Sequence, residues 1–236
     1  MGTVNIKEIL EYLEERGLYK RIERTKTDYD MKESLQIVDA IGKSRNKKFK
    51  IDDENKFVYE NMIKFVHADE SMKCHDPETK NHVKGDVNKG IYIAGTVGSG
   101  KSWAMEILAG YALLIRNMVK FGDEERPLCW KGVRAATICD EYASKGVFDK
   151  YKNLPILCIQ DMASEPGESL FMGNRMNVLR QILEYRGDQT DMMTLITSNL
   201  PINHKGITTI YSDRVASRLF EMVNYFELTG KDRRKL

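Results

Sequence analysis

Gly95-Thr96-Val97-Gly98-Ser99-Gly100-Lys101-Ser102, read directly after the apolar run Ile91-Tyr92-Ile93-Ala94, decides the fold class of this 236-residue chain. Three glycines let the backbone wrap an anion with its N–H groups, while a helix beginning at the loop's end points its positive pole at the same charge. Lys101 adds a point charge for β- and γ-phosphates, and the Ser102 hydroxyl suits a Mg²⁺ ion bridging them. Strand, glycine-rich loop and helix in that order form the P-loop setting. The sequence therefore predicts an ATP and Mg²⁺ site built from Gly95, Thr96, Val97, Gly98, Ser99, Gly100, Lys101 and Ser102.

Downstream, the apolar pattern predicts a helix over about 103–119, a strand over 133–138, a helical stretch from Asp140, and a strand over 154–159 running into Asp161. A helix over about 169–185 and a strand over 192–197 complete the alternation. Alternating elements imply a parallel sheet with helices on both faces and a ligand at the carboxyl ends of its strands. Asp161 stands at such an end, where a carboxylate can hold Mg²⁺ or orient an attacking water. A helix N-cap is the structural alternative for the same residue.

Upstream, Asn5 and Glu8 resemble a capping box, and Ile6, Ile9, Leu10 and Leu13 share a helical face until Gly17. The stretch 18–50 is highly charged, with five cations between Lys43 and Lys50, and suits one or two helices and a basic linker. The expected division is a helical N-terminal extension with a basic linker over 1–50 and a nucleotide-binding domain over 51–236. Hydrophobic content of 42% and 31% charge are ordinary for a globular chain. No apolar run approaches the ~20 residues of a membrane span, so the expectation is a cytoplasmic protein without membrane contact. Cys74, Cys129, Cys139 and Cys158 form no Cys-x-x-Cys pair and read as reduced thiols, and His67, Cys74, His75 and His82 match no zinc spacing. A net charge of +2 leaves any nucleic-acid contact to local patches.

Four segments in order give the chain a resemblance to the bacterial replicative-helicase loaders of the DnaC/DnaI family, a branch of the AAA+ ATPases that also contains the IstB transposition helpers. They are Lys89 to Ser102, then Ile159-Gln-Asp-Met-Ala-Ser-Glu-Pro166, then Thr197-Ser-Asn-Leu200, then Ser212-Asp-Arg-Val-Ala-Ser-Arg-Leu219. The resemblance covers about residues 50 to 235. It implies an AAA+ core with a reduced or absent lid, ATP and Mg²⁺ as cofactors, and Asn199 as the sensor of the γ-phosphate. Arg214 or Arg218 would be the finger that completes a neighbouring subunit's site in a homo-oligomer. Arg233 or Arg234 resembles a reduced second sensor. Lys145, Lys150 and Lys152 would grip single-stranded DNA with Tyr142, Phe148 and Tyr151 stacking on bases, and the N-terminal extension would meet a replicative helicase.

At one position the chain departs from that family. Its members carry two successive acids at the second motif, whereas here the first place is Gln160 and only Asp161 remains. A neutral amide cannot support Mg²⁺ as a carboxylate does, which predicts slow turnover that Gln160→Asp would raise. The alternative readings are an IstB-like helper and a weakly hydrolysing ATP-dependent scaffold. A small-molecule P-loop kinase is disfavoured, because it has no use for the Asp-Arg-Val-x-x-Arg element.

Overall fold

Side-chain alternation along the central strands decides the layering. The computed structural model describes residues 5–16, 20–230 and 232–233. The chain begins with α1 (Ile6–Glu15), β1 (Ile22–Arg24), α2 (Met31–Arg45) and α3 (Lys56–Val66), then a hairpin of β2 (Lys73–His75) and β3 (His82–Lys84). Next come β4 (Gly90–Ala94), α4 (Lys101–Ile115), the hairpin β5 (Met118–Phe121) and β6 (Glu124–Pro127), β7 (Gly132–Arg134), α5 (Ala135–Lys145) and α6 (Asp149–Lys152). The remainder is β8 (Ile156–Met162), the hairpin β9 (Ser169–Phe171) and β10 (Asn174–Met176), α7 (Val178–Gly187), β11 (Met193–Ser198), α8 (Lys205–Tyr211), α9 (Asp213–Met222) and β12 (Val223–Glu227).

Five strands form a parallel sheet in the order β12-β4-β11-β8-β7. Ile91, Ile93, Cys158 and Leu195 point to one face and join a core with residues of α2, α3 and α4. Tyr92, Ala94, Leu157, Ile159 and Ile196 point to the other and join residues of α5, α7, α8 and α9. The two-residue period of a strand thus feeds two cores, and β4 is buried along its whole length, as a parallel sheet covered on both faces requires. The strand order also separates β4 from β8 by β11, so the end of β11 emerges between the ends of the other two.

Three element boundaries differ from the sequence expectation. The helix expected to run to Val119 stops at Ile115, where Arg116 adopts φ 56°. Beyond it Val119 and Phe121 are buried while Met118 and Lys120 are exposed, a strand period set close behind the apolar end of α4. The strand expected over 133–138 covers only Gly132–Arg134, and α5 begins at Ala135, where two alanines favour helix. The helix expected from Ser169 begins at Val178, where Asn177 Oδ1 accepts from Arg180 N at 2.9 Å. The residues before it form the β9–β10 hairpin, turned by Met172 and Gly173 at φ 46° and 87°, the positive pair that a tight hairpin turn uses.

The charged stretch before residue 51 divides in two. Ile22, Glu23 and Arg24 pair antiparallel with Phe121, Lys120 and Val119, and Val38 of α2 is fully buried in the first core. Arg24 donates to the carbonyls of Phe65, Val66 and Val87, and burial pushes its pKa down to about 9. Ile6, Ile9 and Tyr12 of α1, by contrast, are exposed.

Arg186 of α7 ties the lower end of the sheet together. It is fully buried, and its guanidinium donates to the carbonyls of Lys152 (3.0 Å), Leu154 (2.6 Å) and Met193 (2.7 Å) and to Thr194 Oγ1 (2.9 Å). These acceptors lead into β8 and lie on β11, so one cation fixes where both strands begin. Arg186→Met leaves several buried acceptors unpaired, at about 1–3 kcal/mol each. The expected loss is at least about 3 kcal/mol in denaturant unfolding, against about 1 kcal/mol for Thr194→Val; equal small losses would show that the carbonyls find other donors.

Candidate nucleotide site

The loop between β4 and α4 is shaped by what surrounds it. Leu228 N donates to Ala94 O at 2.8 Å, which brings the exit of β12 against the base of the loop, and a Cβ at position 95 would collide with the Leu228 carbonyl. Gly98 and Gly100 adopt φ 83° and 97°, a region that other L residues rarely enter. Lys101 is buried and donates from Nζ to the Thr96 carbonyl at 2.8 Å. Ser99 Oγ is buried without a hydrogen-bond partner among the described residues. A polar atom left in that state inside a glycine-rich loop fits a bound oxyanion.

The end of β8 carries a bulge. Ile159 pairs with Ile196 and Met162 with Ser198, so the single residue Thr197 faces both Gln160 and Asp161. Asp161 takes φ 57°, which aspartate tolerates better than most side chains, and its freed N–H donates to Thr197 Oγ1 at 3.1 Å. Its carboxylate accepts from Ser102 Oγ at 3.3 Å. Gln160 is buried on a different heading, where Nε2 donates to Glu106 Oε1 of α4 at 3.1 Å. Asn199, just past β11, is exposed and faces the same cavity as Ser102 and Asp161.

That cavity measures about 960 Å³. Its lining joins the loop, Asp161 and Asn199 with Phe49 and Tyr59, whose rings meet edge to face with centroids 5.8 Å apart. Trp103 lines it too, partly exposed. A cavity lined by both a glycine-rich loop and aromatic rings offers the polar and apolar contacts that a nucleoside triphosphate needs. Sequence reading missed Phe49 and Tyr59; an aromatic inside the lysine-rich run 47–50 was the available signal. The hydroxyl of Ser102 and the carboxylate of Asp161 are hard oxygen donors suited to Mg²⁺, and Gln160 adds none.

The remaining candidate residues fall in three groups. Arg233 lines the cavity: its N–H donates to Gly98 O at 2.9 Å and its guanidinium grips Asp52 Oδ2 and Oδ1 at 3.0 and 2.7 Å. That hydrogen-bonded pair holds the Asp52 carboxyl below its ordinary range. Arg234 lies outside the described residues. Arg214 and Arg218 do not line the cavity; both bind the Asp188 carboxylate at the end of α7, at 2.9 and 2.6 Å. Lys150 pairs with Glu141 at 2.5 Å and Lys152 with Asp149 at 3.5 Å, while Lys145 is exposed. Tyr142, Phe148 and Tyr151 are buried in the second core, so the stacking expected of them has no open ring face; the rings come from α5, the residue before α6, and α6, and turn inward together.

Beyond the bulge the chain folds back under Ser164, whose hydroxyl donates to the Asp161 carbonyl at 2.5 Å, and Glu165 is bound by the Tyr211 hydroxyl of α8. Burial pushes the Glu165 carboxyl up, and its Oε2 has no partner among the described residues. A raised carboxyl contributes stability that is present below its unfolded pKa and is lost as pH rises through the folded value. Glu165→Gln should therefore melt with the parent at acid pH and increasingly above it as pH rises past the ordinary carboxylate range. A difference in melting temperature that stays constant with pH would contradict this.

No protein-family profile matches the chain, and no curated protein matches it. Solved structures do. A crystal structure of DnaI is 20% identical with a TM-score of 0.52, over 78% of this chain and 86% of that one. A candidate primosome component from Streptococcus pyogenes serotype M3 is 19% identical with a TM-score of 0.51, over 78% and 84%. The DnaC helicase loader is 14% identical with a TM-score of 0.51, over 78% and 94%. At such identities the likeness speaks for architecture alone: a five-stranded parallel sheet flanked by helices, with a glycine-rich loop after β4, is the fold this chain has in common with these structures.

Proposed function

We propose that the chain binds ATP with Mg²⁺ in this cavity and works as an AAA+ ATPase of the helicase-loader type. The observation that carries the reading is the meeting of three strand ends on one cavity: the loop after β4 with Lys101 and Ser102, Asp161 at the β8 bulge, and Asn199 after β11. Bound Mg²⁺ would neutralise charge between the β- and γ-phosphates. Ser102 and Asp161 would hold it, Lys101 would leave the Thr96 carbonyl for phosphate oxygen, and Asn199 would hydrogen-bond the γ-phosphate or orient water. Phe49 and Tyr59 would flank the base, and Arg233 would bring the C-terminal segment onto the loop; Arg234 remains a rival for that second-sensor role.

The finer parts of the reading rest on residues that stand away from the cavity. Arg214 or Arg218 would reach a neighbour's γ-phosphate in a homo-oligomer, exchanging Asp188 for it. Lys145, Lys150 and Lys152 would meet the phosphates of single-stranded DNA, with Glu141 and Asp149 giving up their partners. The exposed Ile6, Ile9 and Tyr12 of α1 give the extension over 1–50 an apolar face for a replicative helicase, and residues 51–236 would form the ATPase domain, with β1 and α2 docked against it. The amide at position 160 favours one second reading, a weakly hydrolysing scaffold that ATP binding switches.

Lys101→Ala should abolish the response of Trp103 emission to ATP and Mg²⁺ while leaving the melting temperature near the parent's, since the lost ammonium leaves phosphate charge to backbone dipoles and Mg²⁺ only. Near-parental affinity in the folded variant would sink the ATP assignment. ATPase activity per subunit should rise with protein concentration, and Arg218→Ala or Arg214→Ala should cut turnover by up to about 10³-fold with binding intact. Activity independent of concentration and of both arginines would remove the case for assembly.

A further inference from the structure

The acid missing from position 160 has a counterpart one helical turn beyond Ser102. Ser102 and Glu106 are four residues apart on α4 and so share the face turned toward the end of β8. Two contacts join them to consecutive residues of that strand: Ser102 Oγ to Asp161 Oδ1 at 3.3 Å, and Gln160 Nε2 to Glu106 Oε1 at 3.1 Å. Arg45, at the C-terminal end of α2, ion-pairs with the same Glu106. A Cβ on Gly132 of β7 would collide with the Gln160 amide, so β7 walls that side chain in on its other side. An amide is the side chain that can donate to Glu106 from there; an acid would set two carboxylates against each other.

We propose that Glu106 is a positioning residue that supplies, from α4, the second negative charge β8 lacks, and that acts through Gln160 to hold the bulge that aims Asp161 at a nucleotide-bound divalent cation. The inference rests on the ATP and Mg²⁺ reading above. Glu106 does not line the cavity, so its action is through the Gln160 contact and through its charge behind Ser102 and Asp161. The pair works as an exchanged arrangement, with the carboxylate on the helix and the amide on the strand. It also changes what is expected of Gln160→Asp: the shorter acid loses the donor to Glu106 and faces its charge, so turnover should fall where the sequence alone predicts a rise.

The test titrates Mg²⁺ into the 236-residue chain with ATP present, reading Trp103 emission and the melting temperature. Glu106→Gln should need about tenfold or more Mg²⁺ for the half-maximal response, the cost typical of removing an outer-shell partner. The exchanged double variant Glu106→Gln with Gln160→Glu should recover most of that loss. Arg45→Met frees the Glu106 charge and should lower the Mg²⁺ requirement, a reading available even if Glu106→Gln does not fold. An unchanged Mg²⁺ midpoint in folded Glu106→Gln, a double variant no better than the single one, or an unchanged or raised midpoint in Arg45→Met would overturn the proposal. An unaltered ATP response in Lys101→Ala would instead overturn the ATP reading beneath it.

Discussion

One extra residue in β8, set opposite Thr197, decides where the chemistry of this molecule can sit. Without the bulge, Gln160 and Asp161 would alternate in the plain register of the strand, each opposite its own residue of β11. With it, Asp161 takes a left-handed backbone, its N–H is satisfied by Thr197 Oγ1, and its carboxylate meets Ser102. The cost of such a conformation in a residue other than glycine is of order 1–3 kcal/mol, and it persists because the neighbours over-determine it. Thr197, Ser164, Ser102 and the Gln160–Glu106 contact all bear on those two residues.

The sheet order is the second constraint. Because β11 lies between β4 and β8, its carboxyl end opens onto the gap between the glycine-rich loop and the bulge, and Asn199 falls into that gap. Leu228, following β12 on the other flank of β4, presses on Gly95 and leads to Arg233, which reaches back to Asp52. The cavity is thus lined by residues at or beyond four strand ends and by the segment joining α2 to α3. The latter is why the stretch around residue 50 matters to the cavity as much as to any extension before it.

Much of this was legible in the sequence. The strand, loop and helix around Lys101 and the acid at the end of β8 follow from apolar runs of the right length ending in polar residues, while Asn199 follows from the family resemblance that Thr197-Ser-Asn-Leu200 helps to carry. What was not legible depends on contacts between distant parts of the chain. Met118 and Val119 read as a continuation of α4 because strand and helix periods cannot be told apart over so few residues. Phe49 and Tyr59 join the cavity only through the packing of α2 and α3, and the burial of Tyr142, Phe148 and Tyr151 was hidden because the rings come from α5, the residue before α6, and α6, and meet only in the packed core. Glu106 was invisible for the same reason: its meaning comes from Gln160, fifty-four positions away.

The central claim is that Ser102 and Asp161 together hold a cation on a triphosphate while Gln160 stays behind them on Glu106. Crystallography of the chain with a non-hydrolysable ATP analogue and Mn²⁺, located by its anomalous signal, tests this directly. The account predicts a single metal peak between the phosphates, the Ser102 hydroxyl and the Asp161 carboxylate, with the Gln160 amide still directed at Glu106. A triphosphate bound outside the 95–102 loop, or a metal peak out of reach of Asp161, would contradict it.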